Sequence, residues 1–125
     1  MLTNTQLLTQ HVWEVNYIIY QNANAQVEYT RGGTNTTGET WGAATYTYNA
    51  NGTGTFVDYS GTAYSLTWAF VPGSQNQMTY TLNYATPVTI TVDDMQLTDS
   101  SYQYSFNFDA SGTYDLGYVQ FIPVP

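Results

Sequence analysis

The chain carries one histidine, His11, no cysteine, and a single base, Arg31. Nucleophilic catalysis needs a nucleophile, a base and an orienting group in contact. Any such site would have to form around His11, and no Gly-x-Ser-x-Gly elbow presents a serine to it. His11 directly precedes an apolar strand pattern, which makes it a rim residue of the fold. Asp93 and Asp94 are adjacent, so in a strand their carboxylates point to opposite faces. A glycosidase pair needs both acids across one cleft, and a turn role fits these two better. Asp109, Ser111 and Asp115 offer oxygens at the spacing Asp-x-Ser-Gly-x-x-Asp. That is a weak calcium candidate, without the full ligand set or its closing glutamate. Transition metals have almost no ligands to use, and no glycine-rich phosphate loop precedes a helix. The residue inventory predicts no enzyme and no cofactor.

Composition narrows the partners. Nine acids against one base give a formal charge of −8 over 125 residues. That balance repels a phosphate backbone, which excludes nucleic acid, and it is equally wrong for an anionic membrane surface. No apolar run approaches the roughly 20 residues of a spanning helix. Charged residues make up 8% of the chain, against about a quarter in ordinary soluble proteins. The absence of lysine is odd for a cytoplasmic chain, so we expect an exported protein, extracellular or at the cell surface, whose leader is not present in this chain. Asn35-Thr36-Thr37 and Asn51-Gly52-Thr53 match glycosylation sequons. The length predicts one domain over 1–125 with its own core.

The elements that position these residues are strands. Tyr64, Leu66, Trp68 and Phe70 alternate with Ser65, Thr67 and Ala69, the period-two signature of a half-buried strand. Tyr46–Tyr48 turns through Asn49-Ala50-Asn51-Gly52 into a strand over Thr53–Tyr59. Further strands are expected over Val12–Tyr20, Ala25–Thr30, Ala63–Val71, Met78–Tyr84, from Val88, over Tyr102–Phe108 and over Thr113–Ile122. In the first of these, Trp13, Val15, Tyr17 and Ile19 should share a face. Asp93-Asp94 should bend the chain so that Met95 and Leu97 form a short return. Arg31–Thr40 reads as the longest loop, and Leu2–Gln10 as one short helical turn capped by Thr3 or Asn4. The matching segments Tyr48–Thr53 and Phe108–Thr113 read as two hairpin loops of like chemistry rather than a duplication. Meander order predicts an all-β, antiparallel up-and-down barrel of about eight to ten strands.

A family resemblance fits this outline. Leu7-Leu8-Thr9-Gln10-His11-Val12-Trp13-Glu14-Val15 resembles the opening of bacterial lipocalin-like domains, where a short helical turn with paired leucines leads to a tryptophan on the first strand. The segment Tyr46–Thr55 is similar to their aromatic strand and Asn-Gly-Thr hairpin. Ala63–Phe70 resembles the tryptophan-bearing strand that follows, and Val88–Leu97 the late strand pair. Two positions depart from the pattern. Gln10 and His11 stand where a glycine is expected, and Arg31 stands in a loop rather than under the first tryptophan. The resemblance implies an exported, non-enzymatic barrel and carries over no site.

Three functional expectations follow. In a hollow barrel, hydroxyls of Tyr46, Tyr80, Tyr102 and Tyr104 would orient a small apolar or aromatic ligand between walls of Trp13, Trp68 and Phe106. If those rings instead fill the interior, as a small barrel allows, the function lies outside. The leading expectation is then a structural module that self-associates through strands or termini as a filament or surface-layer subunit. Edges lacking lysine, such as Ala43–Asn49 and Met78–Tyr84, would be unprotected against pairing. The third expectation is a carbohydrate- or surface-binding module using exposed Trp41 and Tyr59 as stacking platforms.

Overall fold

The computed structural model describes residues 3–21, 26–38, 41–58, 60–74, 76–106 and 116–125. Among them are a short helix α1 (Asn4–Thr9) and nine strands. These are β1 (Val12–Gln21), β2 (Gln26–Thr30), β3 (Thr45–Tyr48), β4 (Thr53–Val57), β5 (Ala63–Phe70), β6 (Met78–Leu82), β7 (Val88–Leu97), β8 (Tyr102–Phe106) and β9 (Leu116–Pro123). All pairings are antiparallel, in the order β2-β1-β3-β4-β5-β6-β7-β8-β9, and β9 returns to pair with β1. Eight strands therefore close as a barrel, with β2 as one extra strand. This is the expected all-β barrel with one short N-terminal helix.

Closure is achieved by β1, which serves three neighbours. One edge pairs with β9 from Trp13↔Pro123 to Gln21↔Leu116. The other edge pairs with β3 over Val12–Glu14 and with β2 over Tyr17–Gln21. In the fork between β3 and β2, the Asn16 carbonyl accepts from the Arg31 backbone N–H at 2.8 Å. The Val15 carbonyl accepts from the Arg31 guanidinium, Nη2 at 2.7 Å and Nε at 2.9 Å. Arg31 also bonds the Gly42 carbonyl and pairs with Glu14 at 3.6 Å. The chain's one basic side chain thus fills the seam, because two strands leaving one edge strand carbonyls that need donors.

A bulge sits at the same place. The register with β9 shifts between Val15 and Tyr17, so the inward face runs Trp13, Val15, then Ile18. Tyr17 and Ile19 do not share the face of Trp13 as the alternation predicts, because one extra residue inverts the period-two pattern. A second bulge corrects the late strand pair. Met95 and Leu97 are not a return strand but continue β7, whose register against β8 shifts between Asp93 and Gln96. Asp94 takes a left-handed φ of 53°, a conformation aspartate tolerates better than most residues. It absorbs the extra residue without reversing the chain.

The strands expected to be open edges are interior. β3 is bonded to β1 and β4, and β6 to β5 and β7. The outer edge of β2 is covered by the chain folding back. Thr36 N–H donates to the Glu28 carbonyl and Thr30 N–H to the Thr34 carbonyl.

α1 closes one barrel end. Thr3 caps it reciprocally with Gln6, and Leu8 is fully buried. The indole N–H of Trp13 donates to the Leu8 carbonyl at 2.9 Å. Gln10 and His11 reach Asp99 in the β7–β8 turn, so His11 does lie on the rim.

Candidate functional site

The seven residues named as possible ligand contacts, Trp13, Tyr46, Trp68, Tyr80, Tyr102, Tyr104 and Phe106, are all buried. The structure brings them together ring against ring. Trp13 lies 5.5 Å from Tyr102, Tyr102 lies 5.4 Å from Tyr104, and Tyr104 lies 5.8 Å from Phe106. Three residues that sequence reading left out complete the packing. Tyr48 meets Trp68 and Tyr102 edge-on, Phe121 stacks on Tyr102 at 4.8 Å, and Phe56 sits 4.7 Å from Tyr46. Strand alternation carried the signal for Tyr48 and Phe56. Phe121 required knowing that β9 closes against β1.

Phenol hydroxyls meet inside the barrel in pairs, Tyr48 with Tyr102 at 3.2 Å and Tyr80 with Tyr104 at 3.1 Å. Burial raises the Tyr48, Tyr102 and Tyr104 phenols well above the usual tyrosine range. Burial pushes the Tyr80 phenol up to about 12. These are neutral hydroxyls joined to one another, the arrangement that lets polar groups remain inside an apolar core.

At the end opposite α1, rings emerge toward solvent. Phe56 is buried, and Tyr64 and Tyr84 are half-buried with a 4.6 Å edge-on contact. Asp58 stands beside them in the β4–β5 turn. The Ser60 hydroxyl and the backbone N–H groups of Thr62, Ser60 and Gly61 hold its carboxyl below the usual range. Burial, then the Asp58 and Tyr64 charges, raise the Tyr84 phenol. Sequence reading passed over this rim because its residues belong to three strand ends. Trp41, expected as an exposed platform, is half-buried on a short 3-10 helix, Trp41–Ala43, and packs against the core. Tyr59 and the calcium candidate Asp109, Ser111 and Asp115 lie outside the described residues. Among the described residues, no three His, Asp or Glu side chains group as metal ligands would.

The outer face of β3–β6 and the first half of β7 is of another kind. Registered across it are Thr53↔Thr67, Thr67↔Thr81 and Thr81↔Thr89, one threonine on each of four strands. A second row runs Thr47↔Thr55 and Thr55↔Ser65. Side chains bond laterally: the Thr81 and Thr89 hydroxyls meet at 2.9 Å, and the Asn83 amide donates to the Ser65 hydroxyl at 3.0 Å. The acids among the described residues lie elsewhere. Glu14 and Glu28 are on β1 and β2, Asp58 and Asp99 in turns, and Asp93 and Asp94 at the β7 bulge.

No helix among the described residues is long and apolar enough to cross a membrane. No protein-family model matches the chain, and no curated protein matches it.

Proposed function

We propose that this chain is a non-enzymatic extracellular module that self-associates as a filament or surface-layer subunit, and that copies meet through the threonine face of β3–β7. The observation that carries the reading is the contrast between a formal charge of −8 and an outer face without an ionised side chain over β3–β6. Two like-charged copies approaching through most other surfaces bring carboxylates together, which costs energy and grows worse at low salt. The threonine face avoids that cost. Where hydroxyls bond sideways to each other, fewer of them need water from above, which lowers the penalty of drying the surface. An isologous contact needs a patch that tolerates its own copy, and a neutral one does. The packed aromatic interior supports placing function outside the barrel. The missing lysine supports export.

Sedimentation velocity and electron microscopy over a concentration series test this reading with the wild type and a Thr67→Glu/Thr81→Glu variant. Both positions point outward, so the core packing is untouched. Because Thr67 and Thr81 face each other across β5 and β6, the paired glutamates should lower stability, and circular dichroism checks that the variant is folded before its assembly is read. The wild type should form concentration-dependent oligomers and the variant should stay monomeric. A wild type that is monomeric at every concentration, or oligomers indifferent to the two glutamates, would overturn the proposal.

A second reading is favoured by the rim. Tyr64, Tyr84 and the pre-oriented Asp58 combine half-exposed aromatic faces with a fixed acceptor, a surface suited to a glycan or small aromatic ligand. Titration of neutral oligosaccharides into the wild type and Tyr84→Ala separates the two readings, since rim binding leaves the oligomeric state unchanged.

A further inference from the structure

Asn51-Gly52 in the β3–β4 turn is the one Asn-Gly pair in the chain. We propose that Asn51 is a site of self-catalysed deamidation, and that the turn is built to favour the bond-making step once it loosens. The inference does not rest on the surface assembly proposed above, although Thr53 also belongs to the threonine face, so the rates are compared at a concentration where the chain is monomeric.

Three features of the turn carry the inference. Asn51 is exposed, so water and base reach it. Gly52 has a φ of +88° and no Cβ, which leaves its backbone nitrogen unshielded by a side chain. The Asn51 Oδ1 accepts two hydrogen bonds from Thr53, from the backbone N–H at 3.1 Å and from Oγ1 at 2.6 Å. When the Gly52 nitrogen gives up its proton and attacks Asn51 Cγ, a C–N bond forms and Oδ1 becomes an oxyanion. Those two donors then stabilise developing charge, as an oxyanion hole does. That bond closes a five-membered ring; the oxyanion then collapses to a carbonyl as Nδ2, protonated from solvent, leaves as ammonia, and a succinimide remains. Water opens the ring at either carbonyl, giving aspartate or isoaspartate. The net change is addition of one water and loss of one ammonia. One feature holds the reaction back. The Gly52 N–H donates to the Asn49 carbonyl at 3.1 Å, so attack waits for that bond to open.

The two products differ in consequence. An aspartate at 51 fits the turn, because Asp58 already adopts the same arrangement, with Oδ1 accepting from Ser60 N–H and Oγ. Isoaspartate adds one carbon to the backbone. The turn it lengthens supplies both acceptors of the Trp68 indole N–H, the Asn49 and Thr53 carbonyls at 3.0 and 3.1 Å. Isoaspartate therefore loosens Trp68, whereas aspartate does not.

The test incubates the purified chain in mildly alkaline buffer. Acidic species are followed by ion exchange, and the site is mapped by peptide mass and isoaspartyl methylation. The expected result is one dominant site, Asn51, with altered Trp68 fluorescence in the isoaspartyl fraction only. Thr53→Val keeps the shape and the N–H but removes one donor. It should slow the folded protein about two- to tenfold, the worth of one exposed hydrogen bond, and Thr53→Ser should restore the rate. In denaturant all three chains should react alike. Absence of an acidic species, a dominant site elsewhere, or a Thr53→Val effect that persists in denaturant would overturn the proposal.

Discussion

At the scale of single residues, Arg31 shows how a polar group is committed to structure. Its guanidinium satisfies the Val15 carbonyl at the β1 fork. Replacing it with methionine leaves that acceptor without its donor, and such a loss costs about 1–3 kcal/mol. Urea unfolding of Arg31→Met should show a lower midpoint with an unchanged slope. The tyrosine pairs are milder. Tyr48→Phe removes one hydroxyl of a mutual pair and should cost about 0.5–1.5 kcal/mol, with a Tyr48→Phe/Tyr102→Phe double variant recovering part of it. Gly54 is stricter, since a Cβ there would collide with the Thr47 carbonyl and the Leu66 side chain. Gly54→Ala should lower the melting temperature more than either phenylalanine variant, as calorimetry would read. The inward identity of Tyr46, Tyr80, Tyr102 and Tyr104 was legible because each alternates with a polar neighbour. The role of Arg31 was not, because local sequence places it in a loop and only the fork gives it an acceptor.

At the scale of elements, α1 is small but anchored, by a capping box, a buried leucine and the Trp13 indole. Leu8→Ala should destabilise by roughly 2–5 kcal/mol, the range for deleting a fully buried leucine. Trp13 fluorescence should shift toward that of water-exposed indole. The helix and the hairpin turns were readable from capping and turn residues. The two bulges were not. Asn16 carries no glycine or proline to mark the inversion of period within β1, and the Asp93-Asp94 pair reads equally as a reversal or as a bulge. Only the register of the neighbouring strand decides between them.

At the scale of the whole molecule, the tyrosine interior makes stability sensitive to alkali. The fold keeps Tyr80 protonated up to about 12, and Tyr48, Tyr102 and Tyr104 share the direction. An unfolded tyrosine ionises near pH 10. Above that pH the unfolded chain has released protons that the fold still holds, so unfolding is favoured as pH rises. The stabilisation is complete below about pH 10 and is lost through about pH 12. Urea midpoints should be flat through neutral pH and fall steeply in that window, with phenolate absorbance appearing together with unfolding. Meander order made the barrel legible, while the register of its closing pair, β9 on β1, was not, since it depends on the first strand finding the last.

That late meeting has a consequence for how the chain comes to exist. Trp13 pairs with Pro123, so the whole barrel must be synthesised before its first strand meets its last neighbour. Until then β1 and β8 each present an unpaired side to whatever is nearby. Sheets built from contacts so distant in sequence fold slowly, on millisecond-to-second scales, and such intermediates aggregate most readily. Nascent chains stalled before β9 should therefore need a holding chaperone that the released chain does not, and pulse-labelled hydrogen exchange should find β1 and β9 protected last.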